Sequence, residues 1–133
     1  MATRASIKFK DNDGRFIANV YHHYDGYPSY LGSKLLELTN GKLVNGIPIN
    51  ITERVFNGFG CLVASVIEGL KGGQPGNAYL YSESDYGNAG EEYLYEVIES
   101  KNGCQVLVKT ILPFGVDGEF VPVEDVLETE NNK

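Results

Sequence analysis

The chain has 133 residues, of which 42% are apolar and 22% charged, and this composition suits one globular domain and excludes a largely disordered chain. Its net charge is −7, and its 11 basic residues form no stripe. Such an acidic surface repels phosphate backbones, so we expect no non-specific binding to nucleic acid.

A β-hairpin is predicted first. Apolar and polar residues alternate over 5–10, and the Asp-Asn-Asp-Gly segment at 11–14 favours a turn. The returning strand is predicted over 16–24, with its even-numbered residues as far as His22 facing the core. His22 and His23 then point to opposite faces, which disfavours their binding one metal ion.

Two helices are predicted next. Leucines at positions 31, 35 and 38 have helical spacing, and Asn40-Gly41 offers an end to that short helix. A loop is predicted over 42–51. Thr52 is then expected to cap a longer helix whose apolar stripe extends from residue 55 to residue 70, and Gly72-Gly73 ends it.

Three further strands are predicted over 78–82, 92–99 and 104–112, the last two joined by an Asn-Gly hairpin turn. The predicted order is ββααβββ, which indicates an α+β fold with an antiparallel sheet and two helices on one face. Residues 1–122 form the predicted domain, and 123–133 form an acidic, flexible tail.

Neither a disulfide framework nor a cofactor is predicted. Cys61 and Cys104 are expected to be free, buried thiols. The acidic loop over 82–92 has carboxylates that could hold a cation, but its spacing matches no calcium loop, so we predict a solvated loop that acts as a lid at most. The N-terminus lacks an apolar signal core and no apolar run could span a bilayer, so we expect a cytoplasmic protein that does not bind membranes.

The segment 20–32 is the best candidate site, because both histidines and several tyrosines lie where a strand is expected to meet a helix. Asp25 could orient His23, beside Tyr21, for acid–base chemistry or for binding a phosphate. The simpler interpretation is that Asp25 makes a turn hydrogen bond and His23 packs under tyrosines. No nucleophile motif completes a catalytic set.

Tyrosines also recur in the predicted strands, at positions 21, 79, 81, 93 and 95. With suitable registers several would share the sheet face that lies away from the helices. Tyrosine offers a large contact area with a polar tip, so such a face would suit a ligand or an oligomer contact. Ordinary packing within the sheet is the alternative.

The segments Thr3-Arg4-Ala5-Ser6-Ile7 and Tyr21-x-His23-Tyr24-Asp25-Gly26-Tyr27 resemble a family of short proteins encoded by tailed bacteriophages and prophages. Its members typically read Thr-Arg-Ser near the start and Tyr-x-His-Trp-Asp-Gly-Tyr in the second strand, so Tyr24 here replaces a tryptophan. The segment Glu92-Tyr93-Leu94-Tyr95 resembles the family's closing hairpin more weakly. The resemblance implies a phage accessory protein that works in the host cytoplasm, and it implies no particular reaction.

We therefore expect a non-enzymatic binding protein whose partner is a host protein, as in counter-defence, or a small nucleotide-like ligand. The predicted ligand-binding residues are Arg4, Tyr21, His23, Asp25, Tyr27 and Arg54, the two arginines being the expected phosphate donors. One alternative is a small hydrolase or nuclease that uses His23 and Asp25. The other is a homo-oligomeric structural protein.

Overall fold

The computed structural model describes residues 2–47, 53–101, 103–111 and 118–131, and it confirms an α+β fold. Its strands are β1 (Ala5–Lys10), β2 (Phe16–His22), β3 (Lys42–Val44), β4 (Val55–Asn57), β5 (Ala78–Tyr81), β6 (Tyr93–Ser100), β7 (Gly103–Thr110) and β8 (Val121–Pro122). Its helices are α1 (Ser33–Leu38), α2 (Phe59–Lys71) and α3 (Val123–Asn131), and a π-helical turn at Pro28–Gly32 leads directly into α1.

One six-stranded sheet organises the molecule, in the order β5-β2-β1-β6-β7-β8. The sheet departs from the expected antiparallel pattern at its centre, where β1 and β6 pair in parallel. Parallel neighbours need a long crossover connection, and here the chain between β2 and β6 supplies it, including α1 and α2. The alternation of apolar and polar residues within a strand does not indicate which distant strand will pair with it.

The helical layer covers one face of this sheet. Ala5, Ile7 and Phe9 of β1 are fully buried in the same apolar cluster as Leu62 and Val66 of α2. These residues alternate along the strand and recur at helical spacing along α2, as burial of one face of each element requires. The predicted hairpin and the core face of β2 are thereby confirmed.

The second helix begins later than the sequence pattern predicts. Val55 and Phe56 belong to β4, which pairs in parallel with β3 in a separate two-stranded sheet, and α2 starts only after Gly58 at φ 88°. The prediction that Thr52 caps this helix lies outside the described residues. Its predicted end is confirmed, because Gly72 adopts a left-handed conformation and its N–H bonds the carbonyl of Glu68.

The expected acidic tail instead contributes α3 to the fold. Val123 is fully buried in the main core, and Val126 and Leu127 pack against the same cluster. This spacing gives the short helix one apolar face despite its acidic composition. The acidic Glu124 and Asp125 lie in its first turn, where the helix dipole favours negative charge.

Both cysteines are free, as expected, but their burial differs. Cys61 is exposed on α2, so the expectation that it is buried is wrong. Cys104 is partly buried, and burial raises the pKa of its thiol. Among the described residues, none of the helices combines the length and the apolar character that a bilayer crossing requires.

Candidate functional site

A tight corner follows β2 and positions the candidate site. Asp25 has a positive φ of 57°, which Asp tolerates better than most residues. Gly26 then packs so closely on the chain before β1 that a Cβ there would lie 2.7 Å from the Cβ of Ala5 and 2.8 Å from the carbonyl oxygen of Thr3. Only glycine allows this approach, and it brings the corner against the start of β1.

Hydrogen bonds from three directions hold the corner. The N–H of Gly26 donates to the Thr3 carbonyl at 2.9 Å, and the buried hydroxyl of Tyr95 donates to the Gly26 carbonyl at 2.7 Å. Asn77 accepts two hydrogen bonds, both at 2.8 Å. The N–H of His23 donates to the backbone carbonyl of Asn77, and the N–H of Tyr24 donates to the side-chain oxygen of Asn77. The corner is therefore a rigid part of the sheet rather than a free loop.

The two histidines separate to opposite faces, as predicted. His22 is buried on the helix-covered face, and burial lowers the pKa of its imidazole. Its Nε2 atom lies 3.5 Å from the side-chain nitrogen of Asn77. His23 lies on the other face, where its Nδ1 atom is 2.8 Å from the hydroxyl oxygen of Tyr21.

His23 belongs to a cluster of aromatic side chains that we call the tyrosine surface, defined as Tyr21, His23, Tyr24, Tyr79 and Tyr81. The rings of Tyr21 and Tyr81 stack with centroids 5.0 Å apart, and Tyr79 lies 6.2 Å from Tyr21. The His23 ring contacts Tyr24 edge-on at 4.6 Å. Tyr21 is buried at the centre, whereas Tyr24, Tyr79 and Tyr81 are exposed around it.

Pairing of β2 with β5 assembles this surface. Tyr21 is the direct partner of Tyr79, and Asn19 is the partner of Tyr81, so all four side chains leave the sheet on one face. Tyr93 and Tyr95 have the opposite orientation, because Tyr95 pairs with Ile7 and shares its core face. The expectation of a shared tyrosine face is thus confirmed for the residues at 21, 79 and 81 but not for those at 93 and 95.

Arg4 lies beside the tyrosine surface. Arg4 is exposed, and its Nη1 atom is 2.9 Å from the point that a Cβ on Gly90 would occupy. Burial raises the pKa of the Tyr21 hydroxyl, and the charge of Arg4 acts in the opposite direction. Tyr21 therefore stays protonated at neutral pH, and its O–H can donate to Nδ1 of His23 in the tautomer that has no proton on that atom.

The acidic segment 82–92 folds over the same face of the sheet. The buried carboxylate of Glu91 accepts the N–H of Gly87 at 2.8 Å and that of Ala89 at 2.7 Å. The hydroxyl of Tyr86 donates to the Tyr95 carbonyl at 2.7 Å. Within the described part of the chain, no acidic, histidine or cysteine side chains are grouped as metal ligands.

The predicted ligand-binding residues fall into three places. Arg4, Tyr21 and His23 come together at the tyrosine surface. Asp25 and Tyr27 lie on the corner itself. The charge of Asp25 acts on His22, and the hydrogen bond that orients His23 comes from Tyr21. The ring of Tyr27 pairs instead with that of Tyr30, at 6.3 Å.

Arg54 lies at the other end of the sheet. Its Nη1 atom donates to the Glu37 carbonyl at 2.9 Å, beside a polar cavity of about 370 Å³ that also includes Lys42. The carbonyl oxygen of the neighbouring Gly41 is 3.7 Å from the point that a Cβ on Gly103 would occupy, and Gly103 begins β7 at the end remote from Tyr93 and His22. Arg54 and His23 are thus separated by the length of a strand, about 20 Å for six residues.

Sequence reasoning assigned no role to Asn77, which fastens the corner, and left Tyr79 and Tyr81 out of the predicted site. The Pro75-Gly76-Asn77 segment signalled only a turn. The pairing of β5 with β2 gives these residues their positions, and that pairing has no local signal. No protein-family model matches this chain, and neither a curated protein nor a solved structure matches it.

Proposed function

We propose that this chain is a phage-encoded accessory protein that acts in the host cytoplasm by binding a host protein through the tyrosine surface. The phage origin and the compartment follow from the sequence resemblance. The binding role is carried by one observation, the preassembled cluster of exposed tyrosines around the Tyr21–His23 hydrogen bond.

The physical argument is preorganisation. The cluster stands on two paired strands and on a corner held by Asn77, so little side-chain freedom remains to be lost on binding. Tyrosines of this kind supply large apolar contacts with a polar tip and are enriched in interfaces. The net charge of −7 favours a basic partner.

Matched tyrosine variants test this proposal. Tyr79 belongs to the tyrosine surface and is 45% exposed, whereas Tyr30 lies outside it and is 43% exposed. In a quantitative capture from host lysate, the wild type and Tyr30→Ala should retain the same host protein, and Tyr79→Ala should lose it. Equal retention by both variants, or no specific capture by the wild type, would reject the tyrosine surface as the binding site.

A nucleotide-like ligand is the second candidate, because Arg4 lies beside the aromatic rings. An exposed ring can stack on a base, and an arginine fork matches phosphate oxygens. Thermal-shift measurements with nucleotides and cyclic nucleotides should then raise the unfolding midpoint of the wild type but not of Arg4→Ala. If no ligand moves the midpoint, or if Arg4→Ala responds equally, this version fails.

A further inference from the structure

The open edge of β5 has an unusual composition. β5 is the terminal strand of the main sheet, and its sequence Ala-Tyr-Leu-Tyr has neither a charge nor a proline. Edge strands are normally protected by such residues, by bulges or by a covering element, because their free backbone groups pair with other chains. In β5 the backbone groups of Ala78 are already bonded, its N–H to the Gly76 carbonyl and its carbonyl to Lys71, so the exposed, apolar Leu80 is the part of this edge that can pair with another chain.

The hydrogen-bond pattern shows which backbone groups lie on this edge. The N–H of His23 donates to the Asn77 carbonyl, so Asn77, Tyr79 and Tyr81 direct their backbone groups toward β2. The alternate residues Ala78 and Leu80 direct theirs to the other side, where the N–H of Ala78 donates to the Gly76 carbonyl at 3.0 Å, so Leu80 presents the pair of groups that a second chain could bond. The side chain of Lys71 confirms this orientation, since its Nζ atom donates to the Ala78 carbonyl at 3.0 Å.

An apolar groove lies along the same edge. It has a volume of about 310 Å³ between β5 and α2 and is lined by Val20, Ile67, Lys71, Ala78, Tyr79 and Leu80. The Leu80 side chain is 69% exposed at its margin. Burial of this side chain in a complex would remove apolar surface from water and so favour association.

We propose that two copies of this chain pair through β5, antiparallel about a two-fold axis at Leu80, and join their sheets into one. In this register the two Leu80 residues exchange backbone hydrogen bonds and cover each other's apolar side chains. Tyr79 of each copy lies opposite Tyr81 of the other, which joins the two tyrosine surfaces. This inference does not rest on the binding function proposed above.

Charge complementarity favours a second copy as the occupant. Lys71 donates to the Gly76 and Ala78 carbonyls and lies over the Tyr79 ring, and it takes part in none of the ion pairs of the described residues. The antiparallel register places the segment that follows β5, with Glu83 and Asp85, beside Lys71 of the other copy. Two symmetric sets of opposite charges result at the ends of the pairing.

Sedimentation equilibrium over a wide concentration range tests this arrangement. We expect a dimer for the wild type and a Kd raised by at least about tenfold for Leu80→Lys, because a lysine at this position blocks edge pairing. Ile47→Lys is the matched control, because it adds the same charge at a residue that is 72% exposed. The neighbouring Gly46 bonds Asn57 just before α2 begins, whereas β5 is bonded by Lys71 at the end of α2. A monomeric wild type, or a Leu80→Lys dimer as tight as that of Ile47→Lys, would overturn the proposal.

Charge exchange tests the register. Glu83→Lys moves the net charge of −7 two units toward neutrality, so general repulsion alone predicts tighter association. The proposed contact predicts weaker association for Glu83→Lys and for Lys71→Glu, and recovery when both changes are combined. Failure of the combined variant to recover would reject the register.

Tyr24→Ala should still dimerise, and loss of its dimer would assign the contact to the tyrosine surface and overturn edge pairing.

Discussion

Gly26→Ala should displace the corner that carries the candidate site. The added Cβ would lie 2.7 Å from the Cβ of Ala5, 2.8 Å from the carbonyl oxygen of Thr3 and 3.2 Å from the amide nitrogen of Ala5. Ordinary contacts of this kind are about 3.5–4.0 Å, so the corner or β1 must move by nearly an ångström. The atoms that would have to yield belong to the backbone and to the fully buried Ala5.

The expected cost follows from two effects. Overpacking a buried position costs about 1–3 kcal/mol, and weakening the two hydrogen bonds that Gly26 makes with Thr3 and Tyr95 costs about 1 kcal/mol each. Because one movement relieves the clash while it stretches both bonds, these contributions do not add fully. We expect the free energy of unfolding to fall by about 2–4 kcal/mol.

Urea denaturation measures this change, and Gly60→Ala provides the control. Gly60 lies in α2 with no neighbouring atom within 4 Å of its Cβ position, so alanine should leave the stability unchanged or raise it by roughly 0.5–1 kcal/mol. The Gly26→Ala variant should also change the imidazole resonances of His23, because the corner fixes that residue. Wild-type stability in Gly26→Ala would refute the close packing described here.

Three further outcomes are expected. Burial lowers the pKa of His22, so the unfolded chain takes up its proton first and stability is lost as the pH falls below about 6.5. His22→Gln should flatten this part of a stability–pH profile, and equal profiles for His22→Gln and wild type would contradict the assignment. Native alkylation followed by mass spectrometry should label the exposed Cys61 well before Cys104, whose thiol pKa is raised by burial, and equal labelling rates would be inconsistent with that burial. Glu91→Gln should loosen the 82–91 segment, because the two loop N–H groups bond different carboxylate oxygens and one of these becomes an amide NH2, which cannot accept a hydrogen bond. Amide hydrogen exchange there should accelerate by about tenfold, and unchanged exchange would show that other contacts hold the segment.

The resemblance to a phage family and the tyrosine surface suggest a role in contact with the host. Edge pairing would bring two tyrosine surfaces together and so increase the avidity for a partner with repeated sites. The two proposals remain separable, because Leu80→Lys affects the edge and Tyr24→Ala affects the tyrosine surface away from it, whereas Tyr79 belongs to both. A variant that loses the dimer but keeps the partner would show that a single tyrosine surface suffices.

The sequence by itself determined the elements whose signals are local. Alternation identified β1 and β2 and predicted opposite faces for His22 and His23, and the glycines after residue 71 marked the end of α2. These features depend on the period of a strand or helix and on backbone conformations that a few neighbouring residues settle. The α+β class follows from their order along the chain.

Only the tertiary structure decided which elements become neighbours. The parallel pairing of β1 with β6 sends Tyr95 into the core, and the pairing of β5 with β2 places Tyr79 and Tyr81 beside Tyr21. The spacing of apolar residues over 55–59 suits a helix in isolation, yet Val55 pairs with β3 and forms part of a strand. Contacts between residues far apart in the chain leave no periodic signal in either partner, so the positions of Tyr79 and Tyr81 beside Tyr21 became evident only in the assembled sheet.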